Sequence, residues 1–297
     1  MKSVLLLSDR SSGSSALFRE LSKHPEIRSV KETGHRQNET LYWNKAAAVL
    51  NMPLADINYS IWPIRRAQAK VELLEFLASN LPDFTPPDDD EELVFQGWHA
   101  LCERFGPVFL EKSPHHVHDR SALRIMLKAM ERLQDVEFLF IGLVRNPMDT
   151  LYSMWCRWRA VPEVSQSDWL RAYNNLLWFR GRVEEKTFML KYEDLIEHPD
   201  RVMKDICGFL SLEWLPELGE GLHRNSMNKW RNDPLFGFQP EEQVKTLGRH
   251  LGYSSAELHA PDRRLWPFYR RMLVATYPGV QLYRKQRRRL ASLMRPR

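Results

Sequence analysis

"VLLLSDRSSGSSALFREL", residues 4–21, joins an apolar run to a helical pattern through five small residues, Ser11 to Ser15. Val4–Leu7 reads as a short strand buried on both faces. Leu17 and Leu21 mark one face of a helix over 16–24 that Pro25 ends. Gly and Ser bury little apolar surface, and Gly13 costs backbone entropy when it is ordered, so packing does not explain the junction. Holding an anion does: a glycine turn admits a close approach, successive N–H groups converge, and the following helix N-terminus adds partial positive charge. An ordinary strand-to-helix turn with a serine cap is the competing reading. No lysine follows Gly13 before Lys23, so the stretch is neither the GxxxxGK[ST] of nucleotide triphosphatases nor GxGxxG. A phosphate held here belongs to another ligand class.

Outward from this junction, apolar runs recur at 108–110, 138–144 and 187–190, with helical patterns at 119–133, 147–159, 167–184 and 199–210 and a mostly helical stretch over 41–81. The Pro- and acid-rich "LPDFTPPDDDEEL", 81–93, reads as a surface loop. Strand and helix in alternation predict an α/β fold, a parallel β-sheet flanked by helices on both faces. Ligands of such sheets bind beyond the carboxyl ends of the strands. The residues expected there are Arg10–Ser15, Glu111–Pro114, Arg145–Pro147 and Lys191–Asp194, and each group is polar or charged. Four strand ends are thereby predicted to meet at one edge suited to anions.

The 297 residues, 43% hydrophobic and 27% charged, suit a globular domain with a sizeable core. No run approaches the roughly 18 apolar residues of a membrane helix, and Ser8 and Asp9 interrupt the first apolar run, so a cytoplasmic protein without a standard export signal is expected. Cys102, Cys156 and Cys207 form no CxxC pair and read as reduced, packed thiols. Seven basic residues and no acid lie in 284–297, so the net charge of +5 leaves −2 on residues 1–283. We therefore expect one domain over 1–283 and a basic tail over 284–297. A solvated helix is the plainer reading of the tail; it would otherwise suit an anionic surface, and no nucleic-acid partner is expected.

"LVRNPMDTLYSMW", 143–155, resembles the 3′-phosphate-binding motif of sulfotransferases that use 3′-phosphoadenosine 5′-phosphosulfate (PAPS). In that motif an arginine closes a strand and a serine follows eight residues later; here these are Arg145 and Ser153. Arginine offers a planar fork of donors for a phosphate, and a helix started at Pro147 carries Ser153 in its second turn. Pairing of Arg145 with Asp149 is the competing reading. "RSSGSSA", 10–16, resembles the family's loop for the 5′-phosphosulfate, with Gly13, Ser14 and Ser15 matching its Gly and hydroxyl residues. "HPEIRSVKET", 24–33, is similar to the segment of tyrosylprotein and bacterial sulfotransferases that carries the base, which would be Glu32. "FLEKSPHHV", 109–117, is similar to the heparan-sulfate branch, whose lysine at the transferring group would be Lys112. "LKYEDLIEHPDRVMKDICGFLSL", 190–212, resembles the family's late strand and helix, and "NKWR", 228–231, its nucleotide-covering loop.

The resemblance implies the sulfotransferase variant of a P-loop-like fold and an in-line transfer of a sulfuryl group from PAPS to an acceptor hydroxyl, leaving 3′,5′-adenosine bisphosphate, with no metal. It places Arg10, Ser11, Ser12, Gly13, Ser14, Ser15, Ala16, Arg145, Ser153, Tyr192, Lys229, Trp230 and Arg231 at the nucleotide. Backbone N–H groups of Ser12–Ser15 would hold the 5′-phosphate. Lys112 and the hydroxyl of Ser14 or Ser15 would offset charge on the bridging oxygen, and Glu32 would take the acceptor proton. Glu32 has surface pairing with Lys31 or Arg36 as its bland alternative. His115, His116 and His118 offer another base, as in cytosolic sulfotransferases, or a metal set that their local clustering disfavours. One departure stands out: the family has Arg or Lys two positions before the glycine, and here that residue is Ser11, with Arg10 one step earlier. A P-loop-related kinase acting with Mg-ATP and a non-catalytic nucleotide-binding module remain the alternatives. The acceptor, whether sugar, lipid, phenol or peptide, and the oligomeric state are open.

Overall fold

Five parallel strands in the order β2-β3-β1-β4-β5 form the centre of the molecule: β1 (Lys2–Ser8), β2 (Ile27–Arg28), β3 (Val108–Lys112), β4 (Glu137–Val144) and β5 (Thr187–Lys191). The computed structural model describes residues 1–34, 38–223 and 227–276; the tail 284–297 and Arg36 lie outside them. β1 sits between β3 and β4, with Leu6 opposite Lys112 on one side and Ile141 on the other. Successive strand residues alternate between two cores, as pleating requires. Leu5, Leu7, Phe109, Phe138 and Phe140 face a core shared with α2 (Tyr42–Val49), α3 (Arg66–Asn80), α4 (Asp90–Arg104), α5 (Arg120–Arg132) and α7 (Pro162–Arg180). Val4, Leu6, Leu110, Leu139 and Ile141 face the other, shared with α1 (Ser14–Leu21), α8 (Tyr192–Glu197) and α9 (Pro199–Leu210). A smaller cluster packs α6 (Pro147–Trp158) against Trp230 of α10 (Lys229–Asn232), Phe236, Phe238 and Trp266.

Several boundaries differ from the sequence reading. The first helix starts at Ser14, because Gly13 in the left-handed region turns the chain straight into it, and it closes at Leu21 rather than at Pro25. The acidic run after Pro87 is a helix start and not a loop: Asp89 accepts from the N–H groups of Glu91 and Glu92, and Asp90, Glu91 and Glu92 fill the positive first turn of α4. Residues 50–65 interrupt the helical stretch expected over 41–81. β2, two residues long, is too short to show a period in the sequence. Cys102 and Cys207 are buried as expected, whereas Cys156 is exposed. Among the described residues, no helix is long and apolar enough to cross a membrane.

Candidate active site at the strand ends

The loop after β1 is built for close approach. Ser11 and Gly13 both adopt positive φ, 59° and 93°. A Cβ on Gly13 would lie 2.2 Å from the ring of Tyr192, so glycine is required by backbone and by space alike. The N–H of Ala16 turns inward to the carbonyl of Gly13, while those of Gly13, Ser14 and Ser15 donate to no backbone carbonyl among the described residues. α1 has no side-chain N-cap, so these donors stand at its positive end. Ser12 is different: its N–H reaches the carbonyl of Asp9 at 3.4 Å, and its buried hydroxyl bonds the Tyr173 hydroxyl at 2.8 Å, fixing the loop from below.

The sheet order sets one cation on either side of this loop. Lys112, buried at the end of β3, donates to Ser15 Oγ at 3.2 Å and to Glu39 Oε1 at 3.4 Å. Burial lowers the Lys112 pKa, with Glu39 opposing, and burial raises that of Glu39, with Lys112 opposing. Arg145, at the end of β4, donates from Nη1 to the carbonyl of Ser11 at 2.7 Å and lays its guanidinium over the Tyr192 ring, 4.6 Å from the centroid. The chain Arg145–Tyr192–Gly13 thus couples β4, β5 and the loop through contact. Ser153 is half-buried on α6, one turn beyond buried Asp149. Asp149 feels the charge of Arg145 and accepts from the Asn228 N–H at 2.8 Å, and so ties the segment 228–231 to this corner.

The structure engages several of the expected site residues elsewhere. Arg10, expected at the nucleotide, spends its guanidinium on Asp168 (2.8 Å) and the carbonyl of Asn58 (2.7 Å), because the turn at Ser11 sends its side chain towards α7. Trp230 is 1% exposed within the α6 cluster and has no open face for a base. Arg231 bonds Asn228 and the Ala256 carbonyl and stacks on Trp230; Lys229 is exposed beside them. Glu32 is exposed and lines a surface cavity with Arg28, Lys31 and Arg104, while its carbonyl accepts from Asn80. The carboxylate against Lys112 is Glu39, seven residues on, whose other oxygen stands 4.0 Å from His115 Nδ1. Residues 29–40 carry no apolar period, and their turn residues Gly34 and Asn38 do not distinguish one acid from another, so only tertiary contact singles Glu39 out.

Behind Lys112 lies a second, fully buried network. Glu111 accepts from the hydroxyls of Thr40 and Ser113 and meets His116 Nε2 at 3.1 Å, while His116 Nδ1 meets Asn44 Oδ1 at 2.6 Å. Asn44 uses its amide nitrogen as donor to the His115 carbonyl and to Asp119, which leaves its oxygen to face His116 Nδ1. Burial acts to raise the Glu111 pKa, but His116 and the hydroxyls outweigh it and the net direction is down. Ser113 Oγ accepts from the Leu41 N–H, so the network holds the segment that carries Glu39. His116 and His118 are thereby engaged structurally, His118 with Asp9 at 2.9 Å; His115 alone of the three sits at Glu39, with Ser60 at 3.1 Å.

Two stability effects follow. Arg10→Ala strips a buried partner from Asp168, which retains Arg171 and Asn58, and is expected to cost about 2–3 kcal/mol in chemical denaturation. Nucleotide affinity of the folded fraction should stay within a few-fold; a large selective loss of affinity would return Arg10 to the site. Asp149 is raised to about 6, by burial first. The folded protein therefore holds this proton between roughly pH 4 and 6 while the unfolded chain releases it, and stability contributed below pH 4 is lost as pH rises to 6. Asp149→Asn should be more stable than wild type at pH 7.5, on the order of 2–3 kcal/mol, and the gain should vanish near pH 4.

Residues 5–216 match the model of the sulfotransferase family. The fold is that of the sulfotransferase domain from the curacin biosynthetic pathway (TM-score 0.55, 18% identity, 84% of this chain and 97% of that one). It is likewise that of the sulfotransferase domain from the Synechococcus PCC 7002 olefin synthase (TM-score 0.56, 20% identity, 86% and 95%). No curated protein sequence matches the chain significantly. The family match takes in Gly13, Lys112, Arg145, Ser153 and Tyr192, the residues gathered at the strand ends, and this chain belongs to the sulfotransferase family.

Proposed function

We propose that the protein moves a sulfuryl group from PAPS to an acceptor hydroxyl. The observation that carries this reading is the placement of two cations from the strands on either side of β1, Lys112 and Arg145, on opposite sides of an open N–H loop that has no lysine of its own. The N–H groups of Gly13, Ser14 and Ser15 receive the 5′-phosphate. Lys112 and the Ser15 hydroxyl lie where charge grows on the bridging oxygen as its bond to sulfur breaks. Arg145 and Ser153 receive the 3′-phosphate, with Tyr192 packing the loop beneath. The acceptor oxygen attacks sulfur in line, and its proton passes to a carboxylate.

Resemblance assigns that carboxylate to Glu32 and geometry favours Glu39, which shares the Lys112 site. The acceptor is a small molecule or glycan with a free hydroxyl. Incubation with PAPS labelled in the sulfuryl group, in the presence of EDTA and a panel of sugar, lipid, phenol and peptide hydroxyls, should transfer label to one class. Transfer of the γ-phosphate from ATP with a strict Mg²⁺ requirement would instead favour a kinase, and donor binding without any transfer a non-catalytic module.

A further inference from the structure

The helix over 266–276 has two apolar faces. Trp266, Tyr269 and Leu273 pack towards α6. Leu265, immediately before the helix, Phe268 and Met272 recur at the same helical spacing one position earlier, on a strip about 100° around the helix from the packed one, and are 63%, 72% and 44% exposed. The neighbouring elements repeat the pattern. Glu163 of α7 bonds Trp266 and Arg270, and Val164 beside it is exposed; Ser167, one turn on, meets Asn58 of the segment that exposes Tyr59 and Ile61. Large apolar side chains in solvent on three elements in contact are more than the scattered exposure of a monomer surface.

Charge supplies an independent observation. From Arg263 to Arg297 there are eleven basic residues and no acid, seven of them in 284–297. A nucleic-acid backbone would use these cations but not a row of Leu, Phe and Met, which has no hydrogen-bonding capacity. A lipid interface uses both, acyl chains taking the apolar row and anionic headgroups the arginines. We propose that this face, with the basic segment that follows it, lays the protein on an anionic lipid bilayer surface. The Arg10–Asp168 pair joins the same end of α7 to the loop after β1, so the docked face adjoins the strand-end edge.

The test is co-flotation of the full chain with vesicles of phosphatidylcholine alone and of phosphatidylcholine with 30% phosphatidylserine, at about 0.15 M salt. Binding is expected only to the anionic vesicles. The exposed-row variant Leu265→Asn/Phe268→Asn/Met272→Gln should weaken it at least tenfold, and Arg287→Gln/Arg288→Gln/Arg289→Gln by about fivefold per charge. Thermal melting of each variant should match wild type, which separates lost docking from lost fold. Equal binding to both vesicles, no effect of the exposed-row variant, equally tight binding to single-stranded RNA that the exposed-row variant leaves intact, or a dimer that this variant dissociates would each overturn the proposal.

Discussion

Glu39→Gln is expected to cut turnover at least about 100-fold with little change in donor affinity, whereas Glu32→Gln should stay within a few-fold of wild type. A general base contributes typically 10²–10⁴-fold, and it must first stand within reach of the proton it takes. Glu39 stands against Lys112 and His115, and the buried Glu111–His116 pair fixes its segment through Thr40, Ser113 and Leu41. On the proposed function, Lys112→Ala removes the charge that offsets the leaving oxygen and should lower kcat by about 10²–10³. The pH profile follows from burial. Glu39, raised above the ordinary carboxylate range, must be ionised to accept a proton, so activity should fall on acidification already above that range. Lys112, lowered by burial, must be charged, so the alkaline limb should come below the ordinary lysine range. Single-turnover rates with saturating PAPS across pH check both limbs. A dead Glu32→Gln beside an active Glu39→Gln would leave Glu39 as a counter-ion and make the exposed residue the base.

The second large effect concerns the 3′-phosphate. 3′,5′-Adenosine bisphosphate should stabilise the protein without added metal, and AMP, lacking the 3′-phosphate, far less. A ligand at about 100 times its dissociation constant adds roughly 2.7 kcal/mol, a melting shift on the order of 5 °C or more for a chain of this size. Arg145→Ala should cost about 1.5–3 kcal/mol of bisphosphate binding and leave AMP nearly unaffected. Because Arg145 also holds the Ser11 carbonyl and covers Tyr192, the variant will melt lower without ligand. The comparison is therefore the ligand-induced shift within each protein. Equal shifts by AMP and the bisphosphate in wild type would refute the PAPS reading.

Period and spacing were enough to read the four long strands as a parallel sheet, because their apolar runs are short and separated by helical patterns. The same spacing placed the loop, Lys112, Arg145 and Ser153 beyond the strand ends, since a strand's last residue is local information. Acids could be counted in "DDDEEL" but not assigned, for a helix start and a loop share that composition until Asp89 is seen to cap Glu91 and Glu92. The loop sequence by itself determined a glycine turn with room for an anion after β1 and no lysine within it. Only the tertiary structure decided which residues stand around that loop. The strand order puts β1 between β3 and β4, so residues 112 and 145 flank residue 13 although about a hundred positions or more separate them along the chain. Arg10 turns to Asp168, and Glu39 rather than Glu32 stands against Lys112. Both outcomes rest on low-dielectric pairing between distant segments, and such pairing leaves no period in a sequence.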